Sequence, residues 1–225
     1  MVVSSAALAA DTAQERLKES AAVFSEIMAT PDKGIPQDLL AKAQCVVVVP
    51  GLKKAAFVVG GQYGKGFVEC RSHGGVGWGA PAAVRMEGGS VGFQIGGSST
   101  DVVMLVMSQR GMDKLLADKF TVGADASLAA GPVGRTAEAA TDAQMHAEIL
   151  AWSRARGLFA GIALNGATFR NDLDDNAELY GHKMTSREVL TGDVSQPAAA
   201  GQLIAELDKY SARKDTNADR SEKER

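Results

Sequence analysis

Between Pro50 and Gly79 short apolar runs alternate with glycine: Phe57-Val58-Val59-Gly60-Gly61, then Gly64-Lys65-Gly66-Phe67, then Gly74-Gly75-Val76-Gly77-Trp78-Gly79. Glycine inside a strand pattern weakens it through backbone entropy, and it marks a bulge, a sharp bend or the close approach of another surface. The segment therefore predicts a strongly bent, glycine-relieved sheet, with Lys53 and Lys54 beside one of its turns. Its pattern is that of a sheet and not of a catalytic loop.

Hydrophobic residues fill 45% of the 225 positions, enough for a real core, while aromatics reach only 5% and glycines number 25. A sheet of Val, Ile, Ala and Gly fits that balance. The net charge of −3 argues against nucleic acid as the main partner, because phosphate binding leaves a basic footprint. A local basic patch stays open, since charge acts mainly within a Debye length. No apolar run approaches the roughly 20 residues of a membrane helix. Residues 1–11 are small and apolar, with Ala7-Leu8-Ala9 in the arrangement of a secretory cleavage site, and read as a remnant of a signal peptide. The expected location is then periplasmic or cell envelope, and cytoplasmic otherwise. Cys45 and Cys70 can pair if the strands that hold them are neighbours, or stand as buried free thiols. The sequence leaves both open.

Residues 12–29 carry Ala13, Leu17, Ala21, Phe24 and Met28 on one helical stripe, opposite a slightly acidic face. A membrane-lying helix is usually lysine-rich there, so docking on the protein's own core is expected. Pro36 and Asp38 suit a short helix reaching about Ala43. Strands are expected at 45–49, 56–60, 65–70, 82–87, 90–95 and 101–108, with Pro50-Gly51 ending the first and a hairpin turn at Glu87-Gly88-Gly89-Ser90. Short helices follow at 112–117, 173–179 and 186–190, a strand end at 120–122, a hairpin at 148–163 and a longer helix at 199–210. The charged residues 211–225 predict a disordered tail, leaving one domain over 12–210.

Chemistry is sparse. The three histidines, His73, His146 and His182, are far apart and lack ligand spacing, and no nucleophile elbow occurs. Gly96-Gly97-Ser98-Ser99-Thr100-Asp101 lacks the Gly-Lys-Ser/Thr ending of a phosphate loop. The acidic run 171–178 lacks EF-hand spacing and reads as a helix start capped by Asp174 or Asp175. No metal or cofactor is expected. What remains is positive charge at Lys53, Lys54, Lys65 and Arg71, in turns or at strand ends. Such a patch suits anionic lipid headgroups.

Four segments in order resemble the SYLF domain: Pro50 to Gly66; Gly92-Phe93-Gln94-Ile95-Gly96-Gly97-Ser98-Ser99-Thr100-Asp101; Trp152-Ser153-Arg154-Ala155-Arg156-Gly157-Leu158-Phe159-Ala160-Gly161; and Asn176-Ala177-Glu178-Leu179-Tyr180-Gly181. The likeness covers essentially all of 12–210. It implies binding of phosphoinositide or other anionic lipid, actin binding in fungal members, and no catalytic activity. Without an SH3 or FYVE module, the chain looks like a stand-alone bacterial-type member, for which actin is an unexpected partner. The fold expected is α+β, a bent, largely antiparallel β-sheet or barrel covered by N- and C-terminal helices. The function expected is non-enzymatic lipid binding through Lys53, Lys54, Lys65 and Arg71, with Leu52 and Phe57 dipping into the interface. An envelope structural or protein-interaction module is the alternative, and an enzyme the third reading.

Overall fold

The computed structural model describes residues 12–30, 34–72, 76–132, 146–155, 158–161, 164 and 166–211. Helix α1 (Ala13–Ala29) opens on a capping box, in which the Thr12 hydroxyl accepts from the Glu15 N–H and the Glu15 carboxylate accepts from the Thr12 N–H. Its stripe of Leu17, Ala21, Phe24 and Ile27 is fully buried. Each large side chain placed there stabilises the fold by about 1.5–3 kcal/mol. α2 (Gln37–Lys42) then leads into two very long strands, β1 (Cys45–Cys70) and β2 (Ala82–Val106), paired antiparallel from Cys45↔Val106 to Val68↔Ala82.

Further on come α3 (Gln109–Leu115), β3 (Lys119–Thr121), β4 (Leu128–Ala130), β5 (Ile149–Ala155), β6 (Leu158–Gly161), β7 (Thr168–Asn171), α4 (Leu173–Tyr180), α5 (Ser186–Thr191) and, after a short 3-10 turn, α6 (Gly201–Ser211). The sheet runs β3-β7-β2-β5-β4, with β1 beside β2 and β6 beside β5. Every pairing is antiparallel except β4 with β5. The architecture is α+β, as the sequence indicated, with α1 and α6 packed over a curled sheet.

The run Cys45–Val49 lacks alternation because both of its faces are covered. Val46 and Val48 join the core beneath α1 and α6, together with Phe24, Trp152 and Leu203. Cys45, Val47 and Val49 enter a second core on the other face, with Met86, Met104, Phe120 and Phe169. β1 bends back until its ends meet. Arg71 N–H donates to the Gln44 carbonyl at 2.9 Å, and Cys45 is joined to Cys70 by a disulfide.

Two expected turns are corrected. Gly88 and Gly89 stay in the β2 ladder, opposite Gln62 and Gly61. Pro50-Gly51 forms a β-bulge and not a strand end, because the register slips between Val49 and Leu52 while Gly51 takes φ 58°. Glycine thus bends two continuous strands where the sequence suggested separate hairpins. Residues 1–11 and 212–225 lie outside the described part of the chain.

Candidate functional site

At the bulge, three of the family-like segments converge. Asp101 and Arg154 are cross-strand partners. Arg154 donates from Nε and Nη2 to Asp101 Oδ2 at 2.9 and 2.7 Å, and the other carboxylate oxygen accepts from the Gly51 N–H at 2.9 Å. Arg154 also pairs with Glu26 of α1. One guanidinium therefore fixes the bulge, β2, β5 and the N-terminal helix together. Above it lies a cleft of about 280 Å³, lined by Glu19, Glu26, Pro50, Gly51, Asp101 and Arg154. Its carboxylates outnumber its one cation, so the cleft repels anions and the motif residues serve as a structural node.

The residues singled out for lipid contact do not gather into one patch. Lys53 is exposed opposite Ser99 and Lys54 half-buried opposite Ser98, so these neighbours point to opposite faces of a continuous strand. Lys65 lies 2.8 Å from Asp172 and 2.9 Å from Asp175. Burial opposes its charge, but hydrogen bonds and attraction from the two aspartates outweigh that and raise its pKa. Arg71 is a clamp, donating from Nη2 to the carbonyls of Leu40, Ala41 and Ser211, with its guanidinium 3.9 Å over the Trp78 ring. Leu52 is corrected outright: it is fully buried in the concave core and cannot dip into a membrane interface. The Phe57 side chain lies outside the described part of the structure.

The acidic run beside α4 is a latch. Asp172 caps α4, Asp175 takes both Lys65 and Arg16 of α1, and Glu178 accepts from the Ala13 N–H at 3.0 and 3.1 Å. The cap is therefore Asp172, ahead of the two residues the sequence pointed to. No group of three or more His, Cys, Asp or Glu among the described residues could hold a metal ion.

Sequence reasoning missed Glu69, although a glutamate between Val68 and Cys70 in an apolar strand was a visible signal. It is 1% exposed, and neither carboxylate oxygen meets a hydrogen-bond donor among the described residues. Burial pushes its pKa well above the usual carboxylate range, and nearby Asp208 adds to the shift. The unfolded chain releases this proton in the ordinary carboxylate range while the folded chain retains it. Stability is therefore fully present below that range and falls as pH rises towards the folded pKa. Glu69→Met should remove this slope and raise stability at about pH 8 by about 1–3 kcal/mol, with a smaller gain at about pH 5. Urea denaturation at both pH values checks it, and a loss at the higher pH would contradict it.

The fold and site define a helix-covered, curled-sheet domain whose shared motifs hold α1 to the bulge. A family model described as Ysc84, Las17-binding protein actin regulator, matches residues 87–210. The chain belongs to that family, the one that the SYLF-like motifs indicated. It is 38% identical over 176 residues to an SH3 domain-containing protein of Schizosaccharomyces pombe, covering 77% of this chain and 40% of that protein. It is 32% identical over 200 residues to SH3 domain-containing YSC84-like protein 1 of Rattus norvegicus, covering 88% and 58%. Protein YSC84 of Saccharomyces cerevisiae is 33% identical over 180 residues, covering 79% and 38%. The chain thus spans about half or less of the length of these relatives. All three are eukaryotic and lend no support to a bacterial-type assignment or to setting actin aside.

Proposed function

We propose that this protein is a non-enzymatic binding module that docks on anionic phospholipid surfaces, phosphoinositide-containing ones included, through cations displayed on its sheet. Lys53 carries the reading. It is exposed on the stretch where β1 and β2 pair only with each other, and no carboxylate pairs with it among the described residues. Lys54 shares the face on which Leu52 is buried, so one lysine of the pair, not two, reaches a bilayer plane. Helix α1 spends its apolar stripe on the core and is not free to insert.

Lys53→Ala should weaken binding to phosphatidylserine-containing vesicles about fivefold, from about 1 kcal/mol of lost attraction, and Lys54→Ala should do less. Co-sedimentation across a salt series reads this out. Equal binding to neutral and anionic vesicles, or binding indifferent to salt, would sink the reading.

A catalytic role has little support. His146 and Glu148 line one open depression of about 450 Å³. There Glu148 is engaged by the Ser127 N–H at 2.8 Å and by Arg110, with no nucleophile held against the histidine among the described residues. A protein-interaction module is the second reading, favoured by membership of a family described as Las17-binding actin regulators. Stoichiometric co-sedimentation with actin filaments, without vesicle binding, would select it. The Cys45–Cys70 disulfide supports placing the chain in an oxidising compartment such as a cell envelope.

A further inference from the structure

Four cations stand in one cross-strand row. Lys65 of β1 is opposite Arg85 of β2, Arg85 is opposite Arg170 of β7, and Arg170 is opposite Lys119 of β3. Directly paired residues share a face, and their chain neighbours Val84, Phe169 and Phe120 are buried in the concave core, so the row lies on the convex side. Like charges placed opposite one another destabilise a sheet. Four successive strands repeat the arrangement here.

The carboxylates nearby do not quench it evenly. Asp172 and Asp175 are spent on Lys65, and Asp174 pairs with Lys183. Among the described residues Glu87 alone spans the two guanidinium groups, at 2.8 Å from Arg85 Nε and 3.4 Å from Arg170 Nε. The Arg85 Nε contact is too far out of line for a hydrogen bond, so that buried donor is unfilled. Lys119 is exposed; its neighbour Asp118 accepts from Asn171. The surplus positive charge therefore sits on Arg85, Arg170 and Lys119, whose forked and ammonium donors suit phosphate oxygens. In the adjacent row of the same face stands Tyr63, 47% exposed, with Glu87, Thr168 and Thr121. An exposed tyrosine beside a basic row is the combination found where a protein meets lipid headgroups.

We propose that the row of Arg85, Arg170 and Lys119, with Tyr63 at its margin, is the main surface on which this protein receives the phosphates of an anionic bilayer. The inference rests on the lipid-binding reading above and moves the principal contact away from Lys53. The bilayer phosphates neutralise the surplus charge of the exposed guanidinium and ammonium ends and relieve the repulsion within the row, while Arg85 Nε stays buried.

The test compares wild type, Arg85→Gln/Arg170→Gln/Lys119→Gln and Lys53→Ala on vesicles of phosphatidylcholine with and without phosphatidylserine. The triple change should weaken anionic-vesicle binding about a hundredfold, more than Lys53→Ala, while its melting temperature holds or rises. Glu87→Gln provides an independent arm: losing the one bridging carboxylate should strengthen binding about fivefold. If the triple variant binds like wild type, or Glu87→Gln weakens binding, the row is not the surface although the lipid reading stands. If wild type itself does not distinguish anionic from neutral vesicles, both fall. Normal vesicle binding by the triple variant with loss of an acidic protein partner would assign the row to that partner and overturn the proposal.

Discussion

Gly66→Val is expected to cost about 4 kcal/mol or more, a large share of the 5–15 kcal/mol that holds a typical domain together. The reason is the way β1 folds back on itself. A Cβ at position 66 would stand 2.0 Å from the Val48 carbonyl oxygen and 2.8 Å from the Val49 Cα. Both are backbone atoms, so no rotamer change relieves the clash. The two halves of β1 would have to part, opening the concave core around Val47, Val49 and Val68. Gly64 is less strictly required: a Cβ there would first meet side-chain atoms, Val49 Cγ1 at 2.8 Å and Leu52 Cδ1 at 3.0 Å. Gly89, by contrast, meets nothing within 4 Å. Gly89→Ala should therefore leave stability within about 1 kcal/mol, and alanine's lower unfolded-state entropy favours it. Urea denaturation followed by circular dichroism compares the two. A Gly66→Val protein as stable as Gly89→Ala would mean that the strand does not double back so closely.

That contrast also shows what the sequence could and could not disclose. The stripe from Leu17 to Phe24 is a local signal, and α1 forms where it places the helix. The strand at Cys45–Val49 is likewise legible from its composition. The glycine clusters are local signals of bending, but bending has two outcomes. Gly88-Gly89 has the composition of a hairpin turn, yet long-range pairing with Gly61 and Gln62 keeps it in the ladder. Only the partner strand decides between a turn and a bend. Charge is less legible still. Lys65 and Arg71 look free in sequence, but Asp172 and Asp175 meet the first and the carbonyls of Leu40, Ala41 and Ser211 meet the second, from more than one part of the chain. Arg85, Lys119 and Arg170 come together only because β7 lies between β2 and β3, and the β7 strand itself went unforeseen.

Removing the Cys45–Cys70 disulfide should cost about 3 kcal/mol. The two cysteines are 25 positions apart, so the bond closes a loop that contains all of β1 between them. Opening it frees that loop in the unfolded chain, where a closed loop of such length withholds about 3 kcal/mol of entropy. In the folded protein Cys45 and Cys70 are 0% and 3% exposed, within the core that Gly66 helps to seal. The Cys45→Ala/Cys70→Ala protein should therefore unfold at lower urea and become insensitive to reductant, while wild type loses stability only when reductant is present. The bond also bears on the surfaces proposed for lipid. It holds the two ends of β1 together, with Lys53 and Lys65 between them, so a reduced protein should lose vesicle affinity as the sheet loosens. Thiol trapping on protein taken directly from cells tests whether the bond exists there. A fully oxidised pair would fit an oxidising compartment. Two free thiols in a fully folded protein, with unchanged stability on adding reductant, would remove both the stabilising role and the argument for that compartment.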